Sequence, residues 1–286
     1  MLPAVPSVLA AIPLDFDPLV HLGELAVRWQ TIGITLALLA ALGLAALIAS
    51  RWDAHPVRLS DMVMIVGGVV PGAVVGGRLV HAIVFWDAYA SEPIWILDPS
   101  VGSLSLLGAV LGGSMTGAYV ARLVGAPVPR WTDAAAVPIL LAIGLGKFAQ
   151  LLGGSGQGLP FDGPWAVEFG GAGPWISANP DMPSHPSQVY EGLWALLGIP
   201  MVVLWNAGRR APAGLKDGRL FIGALSWFLI GRVLVGFTWR DDRIAGPFNA
   251  EQALALATLV AISLGVALWR PRYRGHMQTR AEERLP

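Results

Sequence analysis

The chain has 286 residues, of which 55% are hydrophobic and only 13% charged. An ordinary soluble domain carries about 25% charged residues, so too little polar surface is present to cover this much apolar material in water. Nineteen basic residues balance nineteen acidic ones, which gives no basic footprint for nucleic acid. The absence of cysteine excludes disulfides, thiolate metal sites and a cysteine nucleophile.

In chain order, the opening MLPAVPSVLAAIPLDFDP has no basic region ahead of its apolar stretch, so no cleaved signal peptide is expected. Apolar runs near the ~20 residues that cross a bilayer as helix follow. They lie at Gln30–Ser50, Asp61–Trp86, Ser103–Ala121, Ala134–Leu152, Pro186–Trp205, Leu220–Phe237 and Ala250–Trp269. The expected fold is an all-α polytopic membrane protein of seven transmembrane helices. An N-terminal arm (1–29) precedes the membrane domain (30–269), and a basic tail (270–286) follows it. Of the connections, 87–102 and 153–184 are long and free of cations, and the second is rich in Gly, Pro and Trp, too broken for a helix. Trp165 and Trp175 within it suit a membrane–water interface.

Alternate connections carry 13 Lys and Arg on one side, against Arg28, Arg240 and Arg243 on the other. The cation-rich side faces the cytoplasm by the positive-inside rule, which puts the N-terminus outside and the C-terminus inside. Arg78, Lys147 and Arg232 remain within spans. Each costs at least ~2.5 kcal/mol at bilayer depth and calls for compensation by a polar cavity or an anion. All three fall in the outer halves of their helices, where together they would seat a phosphate. Arg78 could instead pin a helix end near Glu92 or the interface. The five histidines (His21, His55, His81, His185, His276) show no metal-ligand spacing, and no metal or cofactor is expected. Glycines at 67, 68, 72, 76 and 77, and at 108, 112, 113 and 117, form small-xxx-small patterns that let two helices approach closely. Pro71 and Pro138 are expected to bend their helices.

His185-Pro186-Ser187-Gln188-Val189-Tyr190-Glu191 closely resembles the HPSQLYE signature of the prolipoprotein diacylglyceryl transferases. Further resemblances follow in order: Phe16 to Gln30 to the pre-helical arm ending in RWY, Gly76-Gly77-Arg78-Leu79 to GARL, and Leu107 to Gly113 to HGGLIGG. Gly146 to Gln150, with Gly158 closing, resembles GRIGN, Gly231-Arg232 the late arginine helix with Arg240 downstream, and Glu251-Gln252 a GQ. Departures fall on polar positions. Leu107 replaces a histidine, Gln30 a tyrosine, Lys147 an arginine and Gln150 an asparagine. Ser155 replaces a glutamate, and Gly236 the acidic residue one turn after the late arginine.

The resemblance implies a seven-helix transferase of the cytoplasmic (inner) membrane. Such an enzyme passes the diacylglyceryl group of phosphatidylglycerol to the lipobox cysteine thiol of a preprolipoprotein, releasing glycerol 1-phosphate in lipoprotein biosynthesis. Its partners would be phosphatidylglycerol and the preprolipoprotein signal peptide. It implies phosphate binding by Arg78, Lys147, Gln150, Arg232 and Arg240, and catalysis by Lys147, Arg232, His185, Tyr190 and Glu191. The altered polar positions leave two alternatives: a paralogue with another acceptor, or a non-catalytic phospholipid-binding protein. Individual roles also stay open. Lys147, unlike arginine, could lose a proton and act as base. His185 could act chemically or orient the loop. Glu191 could neutralise an intramembrane arginine, the favoured reading, or serve catalysis directly.

Overall fold

The structure, a computed structural model, describes residues 11–51, 58–98, 104–171, 173–207 and 217–282. His55, Ser103, Arg209, Arg210, Lys216 and Arg284 lie outside them. Seven helices carry the fold: α1 (Trp29–Arg51), α2 (Leu59–Val84), α3 (Leu106–Leu123), α4 (Val128–Leu151), α5 (Ser187–Ala207), α6 (Arg219–Val235) and α7 (Ala250–Glu282). Each contains a stretch long and apolar enough to cross a membrane, and the chain is a multi-pass membrane protein. Large apolar side chains such as Leu36, Leu39, Val63, Val74, Ile83 and Leu264 are exposed on the outside of the bundle. In lipid that surface carries no penalty, since a hydrocarbon solvent solvates it as well as a core does.

Two helix ends differ from the hydropathy reading. α4 starts at Val128, ahead of the expected Ala134, because Pro127 as cap and Pro129 in the first turn begin a helix without losing a bonded N–H. The helical backbone of α7 runs on to Glu282, through residues expected to form a tail. Three two-stranded sheets, too short for a hydropathy scan to register, flank the helices. β1 (Ile12–Asp15) pairs in parallel with β4 (Val167–Gly170), β2 (Leu19–Leu22) with β3 (Leu25–Arg28), and β5 (Arg243–Ala245) with β6 (Phe248–Asn249). β3 leads into α1, and β5–β6 pack against α7. The pairing of β1 with β4 joins the arm and the 153–184 connection in one layer. Trp175 packs within it: its ring lies 5.0 Å from Phe16 and from Phe169, and its Nε1 donates to the Gly170 carbonyl at 2.7 Å.

The bundle is organised around α4, which packs against α1, α3, α5 and α6. α2 and α3 meet through their glycines. A Cβ on Gly76 would stand 2.5 Å from the Gly108 carbonyl oxygen, and one on Gly112 would stand 2.3 Å from that of Gly72. Close packing is therefore the use of the small-residue pattern, as the sequence suggests. α5 and α6 are clasped by a reciprocal pair. Trp194 Nε1 donates to the Trp227 carbonyl and Trp227 Nε1 to the Trp194 carbonyl, both at 2.7 Å, with rings stacked 4.5 Å apart. Gly231 and Gly198 leave the space those rings occupy. Two indole donors that would be orphaned in lipid are satisfied between helices.

At the end of the bundle away from the strands, Asp133 of α4 is buried and accepts from the backbone N–H groups of Gly218 (3.1 Å), Leu220 (3.0 Å) and Phe221 (3.2 Å). It supplies in trans the N-terminal cap that α6 lacks in its own sequence, Gly218 having no side chain to offer. Asp133→Ala is therefore expected to lower stability by about 2 kcal/mol, with Asp133→Asn, which keeps one acceptor oxygen, losing less than half of that. Thermal unfolding of the purified protein in detergent reads both.

Candidate active site

Glu191 lies one turn into α5 and is 5% exposed. Its position is fixed by the start of that helix. Ser187 Oγ is 2.7 Å from Thr238 Oγ1, and Gln188 Nε2 donates to the carbonyls of Ser155 (2.7 Å) and Gly156 (2.5 Å). Those bonds tie α5 to the segment after α4 and to the end of α6. Gly158 allows the approach, since a Cβ there would stand 2.3 Å from the His185 carbonyl oxygen. The resulting geometry brings three helices onto one carboxylate. Lys147 Nζ of α4 lies 2.6 Å from Glu191 Oε2, and Arg232 Nη1 of α6 donates to Oε1. Trp239 Nε1 also donates to Oε1, at 3.0 Å, and its ring lies 4.9 Å from Lys147 Nζ.

A second carboxylate completes the cluster. Glu251, in the first turn of α7, has Oε2 3.5 Å from Arg232 Nε, while Oε1 accepts from Ser105 Oγ of α3 at 2.5 Å. The sequence reading placed Glu251 only within a motif and missed this contact. The surplus of intramembrane cations over Glu191 alone was the signal that another acid had to face them. Gly236, where the resemblance calls for an acidic residue, is filled from outside: a Cβ there would stand 2.4 Å from Gln252 Cγ. The second carboxylate thus comes from α7 instead of α6. Asp241, just past α6, is pushed up by burial, against the opposing pull of Arg232.

Other predicted residues are dispersed. Arg78, although 9% exposed, does not join Lys147 and Arg232 on Glu191. Its Nε donates to the Ile96 carbonyl at 2.7 Å, and its Nη2 to those of Trp95 (2.7 Å) and Asp98. It thereby ties α2 to the 3-10 turn that precedes α3. Arg240 is exposed and donates to Gln157 Oε1 at 3.3 Å, in the strand layer. Gln150 is half-buried one turn beyond Lys147, its side chain unbonded among the described residues. His185 and Tyr190 form a separate aromatic group: the imidazole stacks 4.0 Å from Phe161, its Nδ1 is 3.3 Å from the Tyr190 hydroxyl, and Trp165 Nε1 donates to that hydroxyl at 2.7 Å. Leu107 is fully buried in the apolar cluster of Leu140, Phe228 and Leu229. Gln30 Oε1 and Ser155 Oγ, at two of the altered positions, are buried and find no partner among the described residues.

Arg232 thus spends Nη1 on Glu191 and points Nε at Glu251, leaving Nη2 without an acceptor among the described residues. A guanidinium held on two sides and open on the third, beside a buried ammonium, is chemically suited to receive phosphate oxygens at bilayer depth. These features define a polytopic membrane protein with a preorganised, charge-lined interior site. A sequence model of the prolipoprotein diacylglyceryl transferase family matches residues 18–269, and the chain belongs to that family. Proteins named phosphatidylglycerol–prolipoprotein diacylglyceryl transferase are similar along most of its length. The one from Nostoc is 27% identical over 91% of this chain and 93% of its own, and that from Geobacter sulfurreducens 31% identical over 87% and 94%. One of Streptomyces coelicolor is 32% identical over 82% of this chain and 66% of its own.

Replacing Glu191 with Gln leaves two buried cations facing one remaining carboxylate. Such a loss costs about 3–5 kcal/mol, and adding Lys147→Met should restore part of it by rebalancing the charge. Unfolding midpoints of the single and double variants in detergent test this. Burial lowers the His185 pKa below its ordinary 6.5. The neutral ring therefore contributes fully above pH 6.5, and its contribution falls as acid protonates the unfolded chain first. His185→Phe should flatten the decline of the midpoint between pH 6.5 and 5.

Proposed function

We propose that this protein transfers the diacylglyceryl group of phosphatidylglycerol to the lipobox cysteine thiol of a preprolipoprotein, releasing glycerol 1-phosphate. The reaction takes place in the cytoplasmic membrane, with the strand layer outside. The observation that carries the reading is the buried Lys147–Glu191–Arg232 cluster, found in a chain of this family and keeping one guanidinium nitrogen unengaged. The distribution of 13 loop cations against three supports the orientation.

The chemistry needs charge stabilisation on a departing phosphate, a thiolate and a held geometry. Arg232 Nη2 and the free N–H groups of Lys147 bind the phosphate oxygens and stabilise the added negative charge as the carbon–oxygen bond breaks. Glu191 is a positioning residue, and its two oxygens hold both cations before substrate arrives. The 2.6 Å contact engages Lys147 Nζ with Glu191, which assigns it to phosphate binding over service as a base. Gln150, one turn further, supplies an amide toward the headgroup. Arg78 holds the 93–98 turn at the edge of the site, and Arg240 with His185 and Tyr190 shapes the layer through which the peptide arrives. The unpartnered Gln30 Oε1 and Ser155 Oγ are acceptors for a polar substrate group.

The test is the purified protein in phosphatidylglycerol vesicles with a synthetic lipobox peptide. Mass spectrometry should find the diacylglyceryl thioether on cysteine, and Arg232→Ala should slow its formation by about 100-fold or more. Phosphatidylglycerol binding without any adduct would instead mark a lipid-binding relative.

A further inference from the structure

Gln252 is fully buried, and the residue before it is Glu251, the second carboxylate on Arg232. It forms a reciprocal cap with Asn249, which is 1% exposed and immediately precedes α7. Asn249 Oδ1 accepts from the Gln252 backbone N–H at 2.8 Å, and Gln252 Oε1 accepts from the Asn249 backbone N–H at 2.9 Å. In an isolated helix such a pair only closes the first turn. Here the same amide makes two further bonds. Its Nε2 donates to the Val233 carbonyl of α6 at 2.8 Å, and Arg243 Nη1 donates to its Oε1 at 3.1 Å. Arg243 Nη1 also donates to the Gly236 carbonyl at 3.2 Å, so the start of α7 is tied to the end of α6 at two places. Gly236 leaves the room for this, since a Cβ there would stand 2.4 Å from Gln252 Cγ.

These bonds join the two stretches of backbone that carry an ion pair. Val233 follows Arg232 and Gln252 follows Glu251, so the 2.8 Å bond sets the separation of the helices one residue away from that contact. The contact itself is loose. Glu251 Oε2 and Arg232 Nε stand 3.5 Å apart, and neither atom has a hydrogen-bond partner among the described residues. A charge pair without a hydrogen bond has little directional hold of its own. Its geometry is therefore inherited from the backbones, and from Ser105 Oγ on the other oxygen of Glu251.

We propose that Gln252 is a positioning residue for Arg232 that acts through Glu251, an inference that rests on the phosphate role given to Arg232 above. With Glu191 on Nη1 and Glu251 against Nε, the plane of the guanidinium is set and Nη2 is aimed at the phosphate. Loss of the Gln252 bonds lets the start of α7 move against α6, and the guanidinium turns about its bond to Glu191. Binding of the lipid, carried by the summed charge of Lys147 and Arg232, changes little. The charge that develops on the departing oxygen needs an aimed donor, so the chemical step suffers.

Gln252→Met keeps the length of the side chain and removes its amide. It is compared with wild type, Glu251→Gln and the double variant in phosphatidylglycerol vesicles, following adduct formation with the lipobox peptide, lipid affinity and thermal unfolding. The expected result for Gln252→Met is a fall in kcat of about tenfold or more, with lipid affinity within about threefold of wild type. Glu251→Gln should show a similar fall. Adding Gln252→Met to it should cost no more than about a further twofold, because the residue it acts through is already gone. Arg243→Ala, an exposed substitution that releases Gln252 Oε1, should lower kcat in the same way by a smaller factor, and decides the matter if Gln252→Met does not fold. Effects of Gln252→Met and Glu251→Gln that multiply independently overturn the assignment, as does lipid affinity that falls in step with kcat, because Gln252 is then only a helix cap. A kcat within about twofold of wild type in Gln252→Met overturns it while leaving the transfer reaction standing. If wild type itself forms no adduct, the transfer reaction fails and the assignment goes with it.

Discussion

The structure depends on what is done with two positive charges that cannot remain alone inside a bilayer. Lys147 and Arg232 approach from different helices, and the carboxylate of Glu191 on a third takes one on each oxygen. Their attraction operates in a poorly polarisable interior, which makes the contact strong and makes loss of any one partner severe. The same cluster orients Arg232 and leaves one of its nitrogens open. What satisfies the membrane's demand for charge balance also holds in advance the guanidinium proposed to bind phosphate.

The remaining architecture keeps that cluster in register. The tryptophan clasp fixes α5 against α6, so Glu191 and Arg232 cannot slide apart. Gln188 and Ser187 anchor the beginning of α5 to the segments after α4 and α6. Asp133 performs the matching task at the far end, binding the N-terminus of α6 to α4, the helix that carries Lys147. Helices α2 and α3, tightly joined through glycine, reach the cluster through the hydrogen bond from Ser105 to Glu251. Polar bonds between helices are retained where position matters, and apolar packing fills the rest.

Departures from the family's usual polar positions have a structural logic. Leu107, in place of a histidine, is absorbed into the apolar core with Leu140 and Phe228. Gly236 makes room for Gln252, and the neighbouring Glu251 provides a carboxylate to Arg232 from α7. Arg232 thus meets carboxylates from α5 and α7. No position-by-position reading could show this, because the contacts link residues on different helices.

The sequence by itself determined the seven spans, the family and the identity of the intramembrane cations, since bilayer thickness and the cost of buried charge act on local stretches of chain. It also marked the glycine faces of α2 and α3, where spacing along one helix already defines a surface. Only the tertiary structure decided which charges meet. Arg78 stands on the same hydropathy grounds as Lys147 and Arg232, yet it bonds the carbonyls of residues 95, 96 and 98 while the other two share Glu191. Glu251 reads as an ordinary residue near the start of an apolar run until helix packing sets it beside the cluster. Local sequence specifies that a helix forms and how deeply it sits; rotation about its axis and choice of neighbour come from packing against the other helices, and those decide which side chains share a site.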